Sequence, residues 1–189
     1  MKKTVLTFGL IGGAIMAAMM FATMPFLDKI GFNKGEIIGY TTMIVAFMLV
    51  FFGIRSYREN VNGGHITFGR AFAVGILITS VACVCYVIAW EIIYFKFMPG
   101  FVDKYASYMI EQVKASGASQ QVIDAKLQQM KSFKAMYDNP FINAAISFFE
   151  PFPIGLIVTL ISAAILRKKT VAAAREEGRP AQLQVQQEN

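Results

Sequence analysis

Two glutamates, Glu91 and Glu150, lie inside long apolar stretches of the chain. A charged carboxylate at the centre of a bilayer costs on the order of 2–3 kcal/mol and less toward the interface, so such an acid is partnered, protonated or in contact with water. Acids of this kind commonly line ion or proton pathways. The first chemistry to consider for this chain is therefore proton-coupled or cation-coupled transport.

Three further polar residues share helical faces with these acids. Asn143, Ser147 and Glu150 recur at the spacing of one face of a helix, and Ser80 and Glu91 fall within a narrow arc of another. The pattern predicts an intramembrane polar site made of Glu91, Glu150, Asn143, Ser147 and Ser80, with Glu91 facing other helices rather than lipid. In the alternative interpretation, each acid lies near the outer interface, reaches water and only bonds to neighbouring helices.

Histidine and cysteine are too sparse for the common catalytic and metal-binding patterns. His65 is the only histidine and follows the Gly63-Gly64 turn, while Cys83 and Cys85 are two residues apart and point to different faces of a helix. A zinc site or a nucleophile with its base needs several such groups together. We expect no metal, no cofactor and no enzymatic activity.

The composition indicates which elements position these residues. Hydrophobic residues make up 56% of the 189-residue chain, only 16% are charged, and the mean hydropathy is +0.50. These values predict an integral membrane protein. The net charge of +6 does not indicate nucleic-acid binding, because the basic residues cluster at the ends of apolar runs.

The apolar runs predict an all-α integral membrane protein with four transmembrane helices in a single domain, residues 1–169. An amphipathic helical hairpin outside the cytoplasm is predicted between helices three and four, and a disordered cytoplasmic tail after them. The predicted bounds are 4–25, 37–54, 70–98 and 141–166 for the helices, about 101–138 for the hairpin and 170–189 for the tail.

The predicted hairpin has two open interpretations. It lies on the outer leaflet or packs over the bundle, or it is a docking surface whose basic side is formed by Lys126, Lys131 and Lys134. Within the third run, Tyr86, Trp90 and Tyr94 fit an aromatic belt near the outer interface. In the fourth run, Pro151 and Pro153 predict a bend, because proline removes backbone donors.

Basic residues near the helix ends predict the orientation in the membrane. Those on one side are Lys2, Lys3, Arg55, Arg58, Arg70, Arg167, Lys168 and Lys169, whereas the other side has Lys29, Lys34 and Lys96. The positive-inside rule then places both termini in the cytoplasm.

Small residues predict helix-packing faces. Gly9, Gly13 and Ala17 recur every fourth residue of the first helix, and Gly155 and Thr159 do so in the fourth. Such stripes let helix backbones approach closely in lipid. The first stripe is also a candidate contact between copies of the chain.

Two parts of the chain, the loop between helices two and three and the last helix, resemble a known family. The loop part is GIRSYR at 53–58 and GGHITFGRAF at 63–72, and the helix part is FPIGLIVTLISAAILRKK at 152–169. Both parts are similar to the bacterial membrane proteins called domain of unknown function 4199. The resemblance extends from the first helix to Lys169. It implies four membrane helices in a bacterial cytoplasmic membrane, and because the family has no established activity, no functional residues carry over.

Two functions therefore compete. The first is a structural or accessory membrane component that acts through helix packing and the outer hairpin. The second is a small oligomeric transport or proton-coupled module that uses Glu91 and Glu150. The expected partners are the lipid bilayer and either a second copy or another membrane protein.

Overall fold

The computed structural model describes residues 1–168 and is helical almost throughout. Within these residues the only β-type pairing is an isolated bridge between Ile66 and Lys168. Short 3-10 and π turns, Met24–Phe26 and Ile93–Phe97, follow α1 and α4. The α-helices are α1 (Lys2–Thr23), α2 (Leu27–Ile30), α3 (Phe32–Asn60), α4 (Phe68–Ile92), α5 (Phe101–Ala115), α6 (Gln120–Tyr137), α7 (Pro140–Phe149) and α8 (Phe152–Leu166).

Four helical segments of the described chain are long and apolar enough to cross a membrane. They are Lys2–Ile30, Phe32–Asn60, Phe68–Phe97 and Pro140–Leu166. The predictions of an all-helical fold and of four such helices are confirmed. The second segment extends past both ends of the predicted 37–54, because the prediction followed apolar residues only, whereas a helix continues through polar residues that water solvates. The predicted tail and Lys169 lie outside the described residues.

The central helix of the bundle is α4, which contacts α1, α3, α7 and α8. Its contact with α1 depends on two glycines. A Cβ added at Gly9 would lie 2.7 Å from the Cβ of Val81, and one added at Gly13 would overlap Cys85. The packing face predicted on α1 is thus occupied within the chain by α4, with Ala17 half-buried. At Gly9 and Gly13, α4 leaves no room on this face for a second copy of the chain. This corrects the prediction that the stripe is a contact between copies.

A reciprocal pair of glycines and threonines joins α4 to α8. Gly75 lies against Thr159, and Gly155 lies against Thr79. The two threonine hydroxyls are 3.1 Å apart, and the Thr79 hydroxyl also donates to the carbonyl of Gly155. Because all of these side chains are small, the backbones come close and the hydroxyls are satisfied without water.

The fourth crossing is divided at Glu150 and Pro151, where α7 ends and α8 begins. Pro151 and Pro153 have no backbone N–H, so the helical hydrogen-bond ladder is interrupted at this point. The single helix predicted for 141–166 is therefore two helices. The break leaves Glu150 at the corner between them.

The end of the bundle that carries the α3–α4 loop is held together by arginines. Arg58 donates to the carbonyl of Leu166 at 3.1 Å and pairs with Glu59 at 2.6 Å, and Arg70 donates to the Tyr57 hydroxyl at 2.9 Å. The bridge from Ile66 closes this loop end. Two arginines interpreted as topogenic thus also join helices: Arg58 joins α3 to the end of α8, and Arg70 joins α4 to α3.

Candidate functional site at the hairpin end

The opposite end of the bundle, called the hairpin end below, is covered by the hairpin of α5 and α6. Lys134 of α6 donates to the Asp103 carboxylate of α5 at 2.6 Å, which joins the two helices and raises the pKa of Lys134. Lys104 pairs with Asp28 at 2.7 Å, connecting α5 to α2. These side chains are exposed, so the pairs fix geometry more than they add stability.

Aromatic rings fill the space between the hairpin and the bundle. The Phe32 ring at the start of α3 lies 5.6 Å from Tyr105 and 5.0 Å from Tyr108, and Phe101 meets Trp90 edge to face at 5.1 Å. The Tyr108 hydroxyl also donates to Asn33. Large rings of this kind bury much apolar area, so they hold α5 against the bundle more firmly than its ion pairs do.

Where α4 and the π turn after it face α7 and its flanking residues, three hydrogen bonds form a line that we call the polar seam. From the hairpin inward they are Tyr94 to Asp138 at 3.3 Å, Trp90 to Asn143 at 2.9 Å and Tyr86 to Glu150 at 2.9 Å, with the tyrosine or tryptophan donating in each. The donors are four residues apart and therefore share one face of the helical segment Phe68–Phe97.

Asn143 is the best-connected residue of the polar seam. It is completely buried, and its Oδ1 accepts from Trp90 and, at 3.1 Å, from the Ser147 hydroxyl. Its amide group donates to the carbonyl of Tyr137 at 3.1 Å. One side chain thus joins α4, α6 and α7, and in a low-dielectric interior such a satisfied network favours a single packing arrangement.

The predicted intramembrane site is only partly brought together. Asn143, Ser147 and Glu150 do lie along one interface, but Ser80 bonds to the carbonyl of Ile76 in its own helix. Among the described residues, Oε1 of Glu91 is a buried oxygen with no hydrogen-bond partner. Glu150 borders the cavity described below and Glu91 does not. The two acids do not form one site.

The partners of α7 are instead the aromatic residues assigned above to a belt. Tyr86, Trp90 and Tyr94 are each at least nine-tenths buried inside the bundle, which corrects that assignment. Their four-residue spacing, opposite a polar face on α7, was the signal in the sequence. It was missed because tyrosine and tryptophan in a membrane helix also suit the interface.

A cavity of about 540 Å³ lies at the hairpin end. Its walls come from α1, α3 and α4, its roof from α5 and α6, and Glu150 borders it from the break before α8. The lining is rich in aromatic and methionine side chains. Its size is typical of sites for small ligands.

The charged groups that line the cavity are both acidic. They are Glu36 of α3 and Glu150. Within residues 1–168, no lysine, arginine or histidine borders it. The two carboxyl groups act on the neighbouring phenols: burial and then Glu150 raise the pKa of Tyr137 to about 12, and burial and then Glu36 raise that of Tyr105.

The remaining reactive side chains lie away from this cavity. Nδ1 of His65 is 3.0 Å from the carbonyl of Gly63 in the loop at the other end, and Cys83 is buried within the bundle. Across residues 1–168, no three His, Cys, Asp or Glu side chains are close enough to hold a metal ion.

One protein family matches this architecture by sequence. The family model described as protein of unknown function (DUF4199) matches residues 7–168, which is most of the chain. The chain belongs to this family. The DUF4199 match includes the first membrane-length helix from residue 7 onward, the other three in full, the hairpin and the loop end. No curated protein and no solved structure matches the chain.

Proposed function

We propose that this DUF4199 protein is a non-enzymatic accessory component of the bacterial cytoplasmic membrane that acts through its hairpin. The observation that carries the proposal is the attachment of the hairpin. Ion pairs, a layer of aromatic rings and Asn143 hold α5 and α6 in one position over the bundle. A fixed surface helix presents its polar side chains to a partner without a large loss of conformational entropy on binding.

The hairpin surface that remains for a partner is narrower than the sequence suggested. Of the three lysines on its basic side, Lys134 is paired with Asp103, and Lys126 donates to Gln129 at 3.1 Å. Lys131 is exposed, as are Glu111 and Gln121. We expect the partner, another membrane protein or a second copy, to contact these exposed positions.

Photo-cross-linking in membranes tests the accessory role. A photoreactive amino acid at Glu111 or Gln121 should give one discrete adduct, and its mass separates a second copy from a different protein. The matched control is Ile157, an exposed apolar residue of α8. The proposal fails if the hairpin positions give only the diffuse set of neighbours obtained from Ile157.

The proposed orientation has both termini and the loop end in the cytoplasm. The basic residues immediately next to the helix ends support it, with Lys2, Lys3 and Arg58 at the loop end. The hairpin carries lysines of its own, so the orientation needs a direct measurement. With membrane-impermeant maleimide on right-side-out vesicles, Ser119→Cys at the hairpin tip should react and Asn62→Cys in the loop should not.

Wild-type protein is the control for this labelling, because Cys83 is buried and Cys85 half-buried within the bundle. The opposite labelling pattern would show that the hairpin is cytoplasmic. Inverted vesicles should exchange the two results.

The transport alternative has weaker support from the geometry. It required Glu91 and Glu150 to act together, yet Glu150 bonds to Tyr86 at the cavity while Glu91 does not border it. The accessory role requires no such pair.

A further inference from the structure

We propose that the cavity at the hairpin end is a binding site for an organic cation with an apolar body, with a quaternary ammonium as the preferred head group. This inference is independent of what binds the hairpin. It depends on the shape of the cavity, on the charge of its walls and on the aromatic rings that line it.

The charge of the lining determines whether the ligand is a cation or an anion. Glu36 and Glu150 both border the cavity, and no cationic side chain of the described residues does so. Lys104 and Lys134 of the hairpin are paired with aspartates. A cation in the cavity would therefore be attracted by both glutamates, whereas an anion would be repelled.

The aromatic side chains decide the kind of cation. Tyr40, Tyr86, Tyr105 and Tyr137 line the cavity from α3, α4, α5 and α6, together with Trp90. Faces of tyrosine and tryptophan attract cations through the ring quadrupole, and rings from several directions are the usual surroundings of a quaternary ammonium group. A metal ion would instead require several oxygen ligands close together.

The remaining lining accommodates the apolar part of the ligand. Met16, Met20 and Met43, on α1 and α3, border the same cavity. Methionine is flexible and polarisable, so it packs against alkyl or aromatic groups of varied shape. A volume of about 540 Å³ is ample for an ammonium group together with a ring or a short chain.

Trp90 provides the readout. It is the only tryptophan of the chain, it is 7% exposed, and it borders the cavity. The probe is benzyltrimethylammonium, titrated into the detergent-solubilised full-length protein while the emission of Trp90 is followed. We expect a saturable change in the emission of Trp90 as benzyltrimethylammonium binds. The uncharged isostere neopentylbenzene should bind at least about tenfold more weakly, and benzylsulfonate should not bind.

Two sets of variants test the residues that carry the inference. Glu36→Gln and Glu150→Gln should each weaken binding of the cation about tenfold, which corresponds to about 1.4 kcal/mol. Glutamine at 150 still accepts the hydrogen bond from Tyr86, and Glu36 is exposed with no side-chain hydrogen bond to residues 1–168, so at least one variant should fold. Tyr40→Leu should weaken binding several-fold, whereas Tyr40→Phe, which keeps a ring, should retain most of it.

The ammonium group could come from a free compound or from a lipid head group. Phosphocholine as a second probe separates these sources, because its phosphate would face the two glutamates. Tighter binding of benzyltrimethylammonium supports a free organic cation, and tighter binding of phosphocholine supports a lipid head group. Equal affinity for the cation and neopentylbenzene, or unchanged affinity in a folded Glu36→Gln/Glu150→Gln variant, would overturn the proposal.

Discussion

Replacing Asn143 with alanine should destabilise the bundle by about 2 kcal/mol. The side chain is completely buried and bonds to Trp90, Ser147 and the carbonyl of Tyr137. In the variant, Ser147 can rotate to the carbonyl four residues earlier in its own helix. The indole N–H of Trp90 is left buried without its partner, and the carbonyl of Tyr137, in a half-buried residue, loses its donor.

The magnitude follows from these two groups. A buried group left without its partner costs about 1–3 kcal/mol in soluble proteins, whereas hydrogen bonds between membrane helices average about 0.6 kcal/mol. The buried indole accounts for about 1–3 kcal/mol and the carbonyl in half-buried Tyr137 for about 0.6 kcal/mol, so the sum is about 1.6–3.6 kcal/mol, and we take about 2 kcal/mol. For a chain of this size that loss lowers the Tm by roughly 4–8 °C.

A fluorogenic maleimide that reacts with Cys83 on unfolding measures this Tm in detergent, because Cys83 is buried in the bundle. The measurement uses a Cys85→Ala background, so that a single thiol reports. Trp90→Phe, which removes the donor together with part of the indole and keeps an aromatic ring, completes a double-mutant cycle with Asn143→Ala. We expect a coupling of about 0.6–1.7 kcal/mol. Additive effects of the two substitutions would refute the direct contribution of this hydrogen bond.

Three further predictions concern packing, pH and the loop end. Gly13→Ala should lower the Tm because the new Cβ overlaps Cys85. In the control Gly39→Ala, no atom of the described residues lies within 4 Å of the new Cβ, so the Tm should stay equal or rise. An equal fall in Tm for both variants would contradict the close packing at Gly13. Because burial raises the pKa of Tyr137 to about 12, the contribution of this phenol to stability should be constant below pH 10 and, since the half-buried ring is partly screened by solvent, fall by roughly 1–2 kcal/mol by pH 12. In a pH series of Tm values, Tyr137→Phe should remove that part of the fall, and an identical profile would count against it. Arg58→Gln should lower the free energy of unfolding by about 1 kcal/mol, because its hydrogen bond to the carbonyl of Leu166 is lost. The control Arg55→Gln changes an exposed residue and should lower it by less than about 0.5 kcal/mol. Similar Tm values for both variants would show that the bond from Arg58 to Leu166 is not needed for stability.

Hydropathy predicted the number of membrane helices correctly, because each helix must present a long apolar surface to lipid whatever its neighbours are. It placed the ends of α3 too far inward, since the polar ends of a helix carry no such requirement. The prolines likewise predicted a bend in the fourth crossing, because loss of the backbone donor is a local property, but the structure has two helices there instead of one bent helix.

The contacts between side chains of different helices could not be predicted from the sequence in the same way. Glu91 and Glu150 looked equivalent in the sequence, yet only Glu150 borders the cavity, together with Tyr86. The difference is one of helix rotation: the segment Phe68–Phe97 turns Tyr86, Trp90 and Tyr94 toward α7 and its flanking residues, and the close contacts at Gly9 and Gly75 hold α4 in that rotation.

Fold class, the number of membrane-length helices and a distortion of the helix near Pro151 therefore follow from local composition and backbone chemistry. The cavity does not, because its lining comes from α1, α3, α4 and the hairpin, which are distant in the chain and meet only after packing. Glu36 and Glu150 are more than a hundred residues apart, and neither has a local pattern that indicates the other. Only the tertiary structure places both acids among the same aromatic rings, because that arrangement depends on the rotation of each helix about its own axis.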